Sequence, residues 1–177
     1  LSILPDGILY CKATVEDIPE IVAKTLVKGE VIERLLYVDP NTKQHCQSQK
    51  DIPFYKLQHR TVLGNCAILD PDDVREYISR DGYSAAYKVW TSMSDEETCK
   101  EILASGLRGR GGAGFPTGRK WEFARVQPGP KKYVVCNGDE GDPGAFMDRS
   151  VMEGDPHAVI EGMMIAGHAI GADEGWI

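Results

Sequence analysis

The sequence predicts an α/β fold, on three observations. Tyr133-Val134-Val135-Cys136 is a short apolar run bounded by polar turn residues, the pattern of a buried strand. A long helical pattern follows from Asp155-Pro156, with Val159, Ile160, Met163 and Met164 inward and an end near Gly171. Trp176-Ile177 then opens another apolar run. Strand, helix and strand in that order form the repeating unit of α/β proteins.

The other elements follow in order. Gly7-Ile8-Leu9-Tyr10-Cys11 reads as a short strand. Thr14 to Gly29 reads as a helix with Ile18, Ile21, Val22, Thr25 and Leu26 on one face, Pro19 near its start and Gly29 as its stop. Residues 1–38 therefore look like the closing strand and helix of a small domain. Residues 39–69 are polar and aperiodic, with Asn41, Lys43, Gln44, Gln47, Gln49 and Lys50 in quick succession, and read as a linker. A second domain is expected over 70–177. Asp70-Pro71 supplies an N-cap and a first-turn proline, Val74, Tyr77 and Ile78 an apolar stripe, and Gly82 a stop. Another helix is expected from Ser84 to Met93. Ser94 and Glu97 form a capping box before Cys99, Ile102 and Leu103, and Gly106 closes that helix. Thr117 is placed to cap a helix carrying Lys120, Trp121, Phe123 and Ala124, which Pro128-Gly129-Pro130 stops.

Composition narrows the class. Of 177 residues, 42% are hydrophobic and 27% charged, enough apolar material for a globular core. The first residue is Leu1 and the last two are Trp176-Ile177 within an apolar run, so a piece of a longer chain is expected. No stretch approaches the roughly 20 apolar residues that span a bilayer, and the N-terminus has no signal-peptide pattern, so a cytoplasmic protein without membrane insertion is expected. A formal charge of −7 argues against a nucleic-acid partner. Arg108, Arg110, Arg119, Lys120 and Arg125 nevertheless cluster in sequence, which suits a small anionic ligand. Cys11, Cys46, Cys66, Cys99 and Cys136 are odd in number and scattered, so they read as reduced, mostly buried thiols. His157 and His168 have no partner at metal-ligand spacing, and no metal site is expected.

Two segments carry chemistry. In Gly109-Arg110-Gly111-Gly112-Ala113-Gly114-Phe115-Pro116-Thr117-Gly118-Arg119-Lys120-Trp121, closely spaced glycines allow backbone N–H groups to approach an anion, and the following helix adds its positive end. A phosphate cradle is the expectation, with Lys120 supplying a full charge. The spacing Gly109-x-Gly111-x-x-Gly114 matches the dinucleotide fingerprint but follows a helix where that motif follows a strand. A Walker loop is excluded because Arg119 separates Gly118 from Lys120, and Trp121 stands where Ser or Thr is needed. The second segment, Asn137-Gly138-Asp139-Glu140-Gly141-Asp142-Pro143-Gly144-Ala145-Phe146-Met147-Asp148-Arg149, lies at a strand's carboxyl end, where amide and carboxylate groups can meet a ring's donors or a ribose's hydroxyls.

Together, from about Gly82 to Ile177, these segments resemble the flavoprotein subunit of respiratory complex I, the 51 kDa or F-type subunit, and its relatives in NAD(P)-linked hydrogenases and formate dehydrogenases. The acidic loop of the respiratory form usually reads E-S-E-P-G-T. Glu140-Gly141-Asp142-Pro143-Gly144-Ala145 is more similar to the hydrogenase branch. The resemblance implies a partial, Rossmann-like FMN-binding domain of the complex I 51 kDa type, and binding of FMN and of NAD(H) or NADP(H). It implies that backbone at Gly109 and Gly111, with Lys120, holds the FMN phosphate, and that Asn137 and Asp139 meet the isoalloxazine or ribityl groups. Phe115 and Phe123 would sandwich adenine, and Asp142 would contact the nucleotide. Arg110, Gly112, Ala113, Gly114 and Glu140 complete the expected cofactor-binding set. The implied reaction is hydride exchange between nicotinamide nucleotide and FMN, with single electrons passing to iron–sulfur clusters, and no side chain is required as acid or base. Leu4-Pro5-Asp6-Gly7 to Leu35 resembles the end of a thioredoxin-like [2Fe–2S] domain fused ahead of such subunits. The ligands of that cluster and of the [4Fe–4S] cluster would lie outside this sequence. Implied partners are a thioredoxin-like [2Fe–2S] subunit and an iron–sulfur or hydrogenase catalytic subunit, in the cytoplasm or peripheral on the cytoplasmic face of a membrane complex. The alternative is a non-catalytic nucleotide-binding or assembly module.

Overall fold

The computed structural model describes residues 1–177, and these fall into two units, Leu1–Arg60 and Thr61–Ile177.

In the first unit, β1 (Ser2–Ile3) pairs antiparallel with β2 (Ile8–Leu9). Tyr10 lies at the centre of a core made with Ile8, Ile21, Ile32, Leu35 and Leu36. Its hydroxyl lies 2.6 Å from the Thr25 Oγ1 and accepts the Ile32 N–H at 3.0 Å, so the buried polar atom is satisfied. The expected helix exists but is wound in three ways: a 3-10 turn at Val15–Asp17, α1 (Ile18–Glu20), and a π-helical stretch at Ile21–Leu26. Gly29 follows at φ 71°. Only Ile21 and Thr25 of the expected inward face are buried, whereas Ile18, Val22 and Leu26 are exposed. Pro19 brings no N–H, and i→i+5 winding widens the turn, so a stripe drawn at 3.6 residues drifts off the core.

The stretch that reads as a linker carries structure of its own. There β3 (Tyr37–Val38) pairs antiparallel with β4 (His45–Cys46). The turn is held by the Asp39 carboxylate, which accepts the Asn41 and Thr42 N–H groups at 2.7 and 2.9 Å. A 3-10 turn at Gln49–Asp51 and α2 (Pro53–Lys56) follow. The boundary between units falls after Arg60, inside the 39–69 stretch.

The second unit opens with α3 (Val74–Ser79), capped by Asp73 rather than Asp70: the Asp73 carboxylate accepts the Arg75 N–H at 2.9 Å. Asp70 instead holds the preceding turn by accepting from Asp72 at 3.0 Å. Of the expected stripe, Tyr77 is buried while Val74 and Ile78 are exposed. Next come α4 (Ser84–Ser92) and α5 (Asp95–Ala104), the latter with both capping-box bonds: Ser94 N to Glu97 at 2.8 Å and Glu97 N to Ser94 at 3.2 Å. In α6 (Thr117–Val126) the cap position falls to Pro116. Thr117 is the first helical residue, and its N–H donates to the Leu107 carbonyl at 2.9 Å.

The chain then forms β5 (Tyr133–Val135), α7 (Met147–Gly154), α8 (Pro156–Ile170) and β6 (Glu174–Trp176). β5 and β6 are parallel, with Val134 opposite Gly175, so the strand–helix–strand unit is present. The helix α7 is additional to those the sequence predicts. Asp155 caps α8 by accepting the Ala158 N–H at 3.2 Å, Pro156 occupies its first turn, and Gly171 at φ 73° ends it. Two expectations need correction. β5 is not a buried strand, since Val135 is 71% exposed in a pair with no further strand beside it. The buried face of α8 is Glu161, Ala166, Gly167, Ala169 and Ile170, while Ile160 and Met164 are exposed. Ile160, Met163 and Met164 border a cavity of about 340 Å³ shared with Trp90 and Val134. No helix is long and apolar enough to cross a membrane.

Candidate functional site

The glycine-rich segment is a loop closed at its neck. Gly109 N–H donates to the Phe115 carbonyl at 2.8 Å, Arg108 bridges Pro116, and the Arg108 guanidinium reaches the Gly114 carbonyl at 3.2 Å. Gly112 and Gly114 adopt φ of 101° and 60°, backbone that a side chain would strain. A Cβ built at Gly111, Gly112 or Gly114 would meet nothing, so the space beside these amides is open. Arg110, Gly111, Gly112 and Ala113, at the tip of the loop, are all exposed.

The loop delivers the chain directly into α6. With the Thr117 N–H bonded to Leu107 and the Lys120 N–H to Pro116, the Gly118 and Arg119 amides have no backbone acceptor, and the positive end of the helix faces the loop. The position of α6 is set by Gly118, the buried residue of that helix: a Cβ there would lie 2.4 Å from Leu103 N and 2.8 Å from the Cys99 carbonyl. Backbone contact between α5 and α6 is therefore possible only at glycine.

Charge is distributed unequally around this corner. Arg125 leaves the basic cluster, donating to Glu122 through two bonds of 2.8 Å and to Asp95 at 3.4 Å, and the Glu122 bonds raise its pKa further. Arg108 is engaged with the loop carbonyl. Arg110, Arg119 and Lys120 are exposed and form no ion pair, leaving three cations for an anion. Phe115 and Phe123 are exposed by 46% and 54%, with ring centroids 6.4 Å apart and planes at 48°. The two rings are tilted rather than parallel, so a flat ring held between them requires the pair to turn face to face.

The acidic loop begins where Cys136 N–H bonds the Trp176 carbonyl at 2.8 Å, one residue beyond β5. The Asn137 side chain accepts the Asp139 N–H at 3.0 Å, and a turn closes from Ala145 N–H to the Asp142 carbonyl at 3.0 Å. Glu140 folds back onto α7. Its Oε1 accepts from Met147 and Asp148 at 2.7 and 3.2 Å, and its Oε2 from Arg149 at 3.2 Å. Partial burial alone would raise its pKa, but these backbone donors prevail and lower it. The Asp139 and Asp142 carboxylates are exposed and unpaired. No hydrogen bond or ion pair joins the glycine-rich loop to the acidic loop, so each is built separately.

A second polar cluster escapes sequence reasoning. Glu161, on the buried face of α8, accepts from the Tyr77 hydroxyl at 2.5 Å, Tyr83 N–H at 2.9 Å and Ala86 N–H at 3.0 Å. Tyr83 is the N-cap residue of α4 at φ 62° and caps nothing with its own side chain, so Glu161 performs the capping from another helix. Burial works to raise the Glu161 pKa, and the bonds from Tyr77, Ala86 and Tyr83 outweigh it and lower it. His157 stacks on Tyr77 and lies 2.8 Å from the Tyr83 hydroxyl, while His168 lies 2.9 Å from the Met93 carbonyl. Both histidines thus have structural partners. The one available signal is the absence of a capping residue before Ser84. Among the thiols, Cys46 and Cys99 are buried and Cys11, Cys66 and Cys136 half-buried, so fewer are enclosed than expected. Burial pushes the Cys99 thiol up to about 11.

Residues 102–177 match the Nuo51 FMN-binding domain family. The chain is 52% identical over 122 residues to the NADP-reducing hydrogenase subunit HndC of Solidesulfovibrio fructosivorans, which covers 69% of this chain and 24% of that protein. It is 52% identical over 104 residues to the F subunit of the NADH-quinone oxidoreductase of Aquifex aeolicus, covering 59% of this chain and 24% of that one. In three dimensions it is similar to a chain of an NAD+-reducing [NiFe]-hydrogenase in the H2-reduced state, with 25% identity, a TM-score of 0.50, and coverage of 96% of this chain and 26% of that chain. The chain thus spans about a quarter of the length of these relatives.

Proposed function

Since residues 102–177 belong to the Nuo51 FMN-binding domain family, we propose that the chain is part of an oxidoreductase flavoprotein subunit exchanging a hydride between a nicotinamide nucleotide and FMN. The observation that carries this reading is the closed glycine-rich loop with open space beside Gly111, Gly112 and Gly114, feeding α6 and flanked by the unpaired Arg110, Arg119 and Lys120. Backbone amides, a helix N-terminus and free cations fit a phosphate monoester such as that of FMN. Gly109 and Arg110 to Gly114 would wrap the phosphate, and Lys120 would neutralise it.

Asn137, Asp139 and Asp142 stand at the carboxyl end of β5, where ligands of α/β sheets bind. Asn137 and Asp139 offer acceptors for flavin ring or ribityl donors, and Asp142 for nucleotide hydroxyls. Phe115 and Phe123 provide an apolar surface for a purine. Bound here, FMN would supply the conversion between two-electron and one-electron transfer. The protein's own part is to bind and orient, and no side chain serves as acid or base.

The relatives named as hydrogenase and quinone-oxidoreductase subunits favour a multisubunit assembly, with an iron–sulfur or hydrogenase catalytic subunit as partner and [2Fe–2S] and [4Fe–4S] clusters held outside these residues. Residues 1–38, in the first unit, fit the end of a thioredoxin-like [2Fe–2S] domain, and a soluble or peripheral position on the cytoplasmic side accords with both. The test is to purify the full-length subunit and record its visible spectrum. Flavin absorbance released as FMN on denaturation, and bleached anaerobically by NADH or NADPH, is expected. A protein without flavin that still binds nucleotide would support the non-catalytic alternative.

A further inference from the structure

We infer that Glu140 is a positioning residue that holds the acidic loop in place by capping α7. The inference rests on the flavin–nucleotide reading above. Sequence reasoning places Glu140 among ligand contacts, yet both of its carboxylate oxygens are engaged by Met147, Asp148 and Arg149 N–H groups, the first-turn donors of α7. Phe146 occupies the N-cap position, and its side chain has no oxygen with which to satisfy those donors. Its carbonyl accepts the Ser150 N–H at 3.0 Å, as an N-cap carbonyl does. The cap therefore comes from six residues upstream, and the chain from Glu140 to Met147 closes into a ring, tightened inside by the Ala145-to-Asp142 bond.

A separate contact fixes the same loop to the same helix. Gly138 lies against Met152 of α7, so closely that a Cβ at Gly138 would stand 2.2 Å from the Met152 Cε. Asp139 sits between the two anchor points, Gly138 and Glu140, and Asp142 sits inside the ring. The unpaired carboxylates are thus presented from a loop pinned at both ends to α7. Loss of the Glu140 carboxylate frees that loop without removing Asp139 or Asp142.

The test compares three variants of the full-length subunit: Glu140→Ala, Glu140→Gln, and Glu140→Ala combined with Phe146→Ser. The serine supplies a local cap at an exposed position. Removing the cap should speed amide exchange at Met147, Asp148 and Arg149 by about two- to thirtyfold. It should raise the nucleotide KM with a smaller change in kcat. Glu140→Gln, which keeps one carbonyl acceptor, should fall between. The added serine should restore both exchange and KM toward wild type. Unchanged exchange in Glu140→Ala would overturn the capping role, and unchanged KM despite faster exchange would overturn its bearing on the site. Restored exchange without restored KM would mean that Glu140 acts on the ligand directly. If the wild-type subunit itself carried no flavin and bound no nucleotide, the functional reading would fail while the exchange comparison still decided the cap.

Discussion

Lys120 and Glu161 illustrate two ways in which one side chain can matter. Lys120 is exposed at the first turn of α6 with no acidic partner, so its charge is available to a phosphate. Lys120→Ala is expected to weaken FMN retention about ten- to a hundredfold, read by flavin fluorescence on dilution, because a charge-assisted bond to phosphate is lost. Lys120→Arg should lose less. Glu161 is buried and accepts three bonds, one of them from a tyrosine hydroxyl whose own pKa is pushed well up by burial and by this carboxylate. Glu161→Gln removes one acceptor among three donors and should destabilise the second unit by about 1.5–3 kcal/mol in denaturant titrations. The pH dependence has a definite sign. Glu161 is held below its ordinary 4.5, so its contribution is complete above that value and lost as pH falls through the lower folded value. Acid unfolding of wild type below pH 4.5 should be steeper than that of the Gln variant.

Among the elements, the helices with strong local signals are legible in the sequence and those defined by distant partners are not. The Ser94–Glu97 box, Asp155-Pro156 and the closing glycines Gly106 and Gly171 act within a turn or two, so sequence spacing reveals them. Asp70 has the signature of a cap because proline follows it, yet the next aspartate, Asp73, takes the role once Asp70 has closed a preceding turn. The inward face of α8 defeats patterning because Glu161 occupies a buried position that patterning assigns to solvent, its cost offset by bonds to α3 and α4. The two candidate loops stand out in the sequence, since glycine spacing and acidic composition are local properties. What each residue does is less so: Glu140 is indistinguishable from Asp139 and Asp142 until α7 is seen. Gly118 reads as one glycine among many, but it is where the α5 backbone comes close enough to exclude a side chain from α6. Gly118→Ala should force those helices apart, costing about 1–3 kcal/mol in stability and displacing the glycine-rich loop. The check is a lowered denaturation midpoint accompanied by reduced FMN content. A Gly→Ala change that stabilised the protein through helix propensity would show that the contact is not tight.

For the molecule as a whole, the α/β reading holds in the second unit, where β5 and β6 are parallel across α7 and α8. The domain boundary is less legible, because the 39–60 stretch folds through turns and side-chain-to-backbone bonds that have no periodicity. Apolar surface beside Trp90, Ile160 and Met164 and on Val135 and Trp176 remains open. The polypeptide of residues 1–177 is therefore expected to enhance the fluorescence of an apolar-surface dye, and Ile160→Glu with Met164→Glu to reduce that enhancement without loss of helical circular dichroism. The cap that Glu161 provides to α4 has a further bearing on how the chain is made. Tyr83 and its partner are 78 residues apart, so a ribosome must emit all of α5, α6, β5, α7 and the start of α8 before the first turn of α4 can be finished. In the folded unit α4 enters through left-handed backbone at Tyr83 with no side-chain cap of its own, so closing its first turn requires a long loop to close rather than a local residue. Vectorial synthesis thus leaves the entry of α4 without its cap until a glutamate 78 residues beyond Tyr83 has emerged.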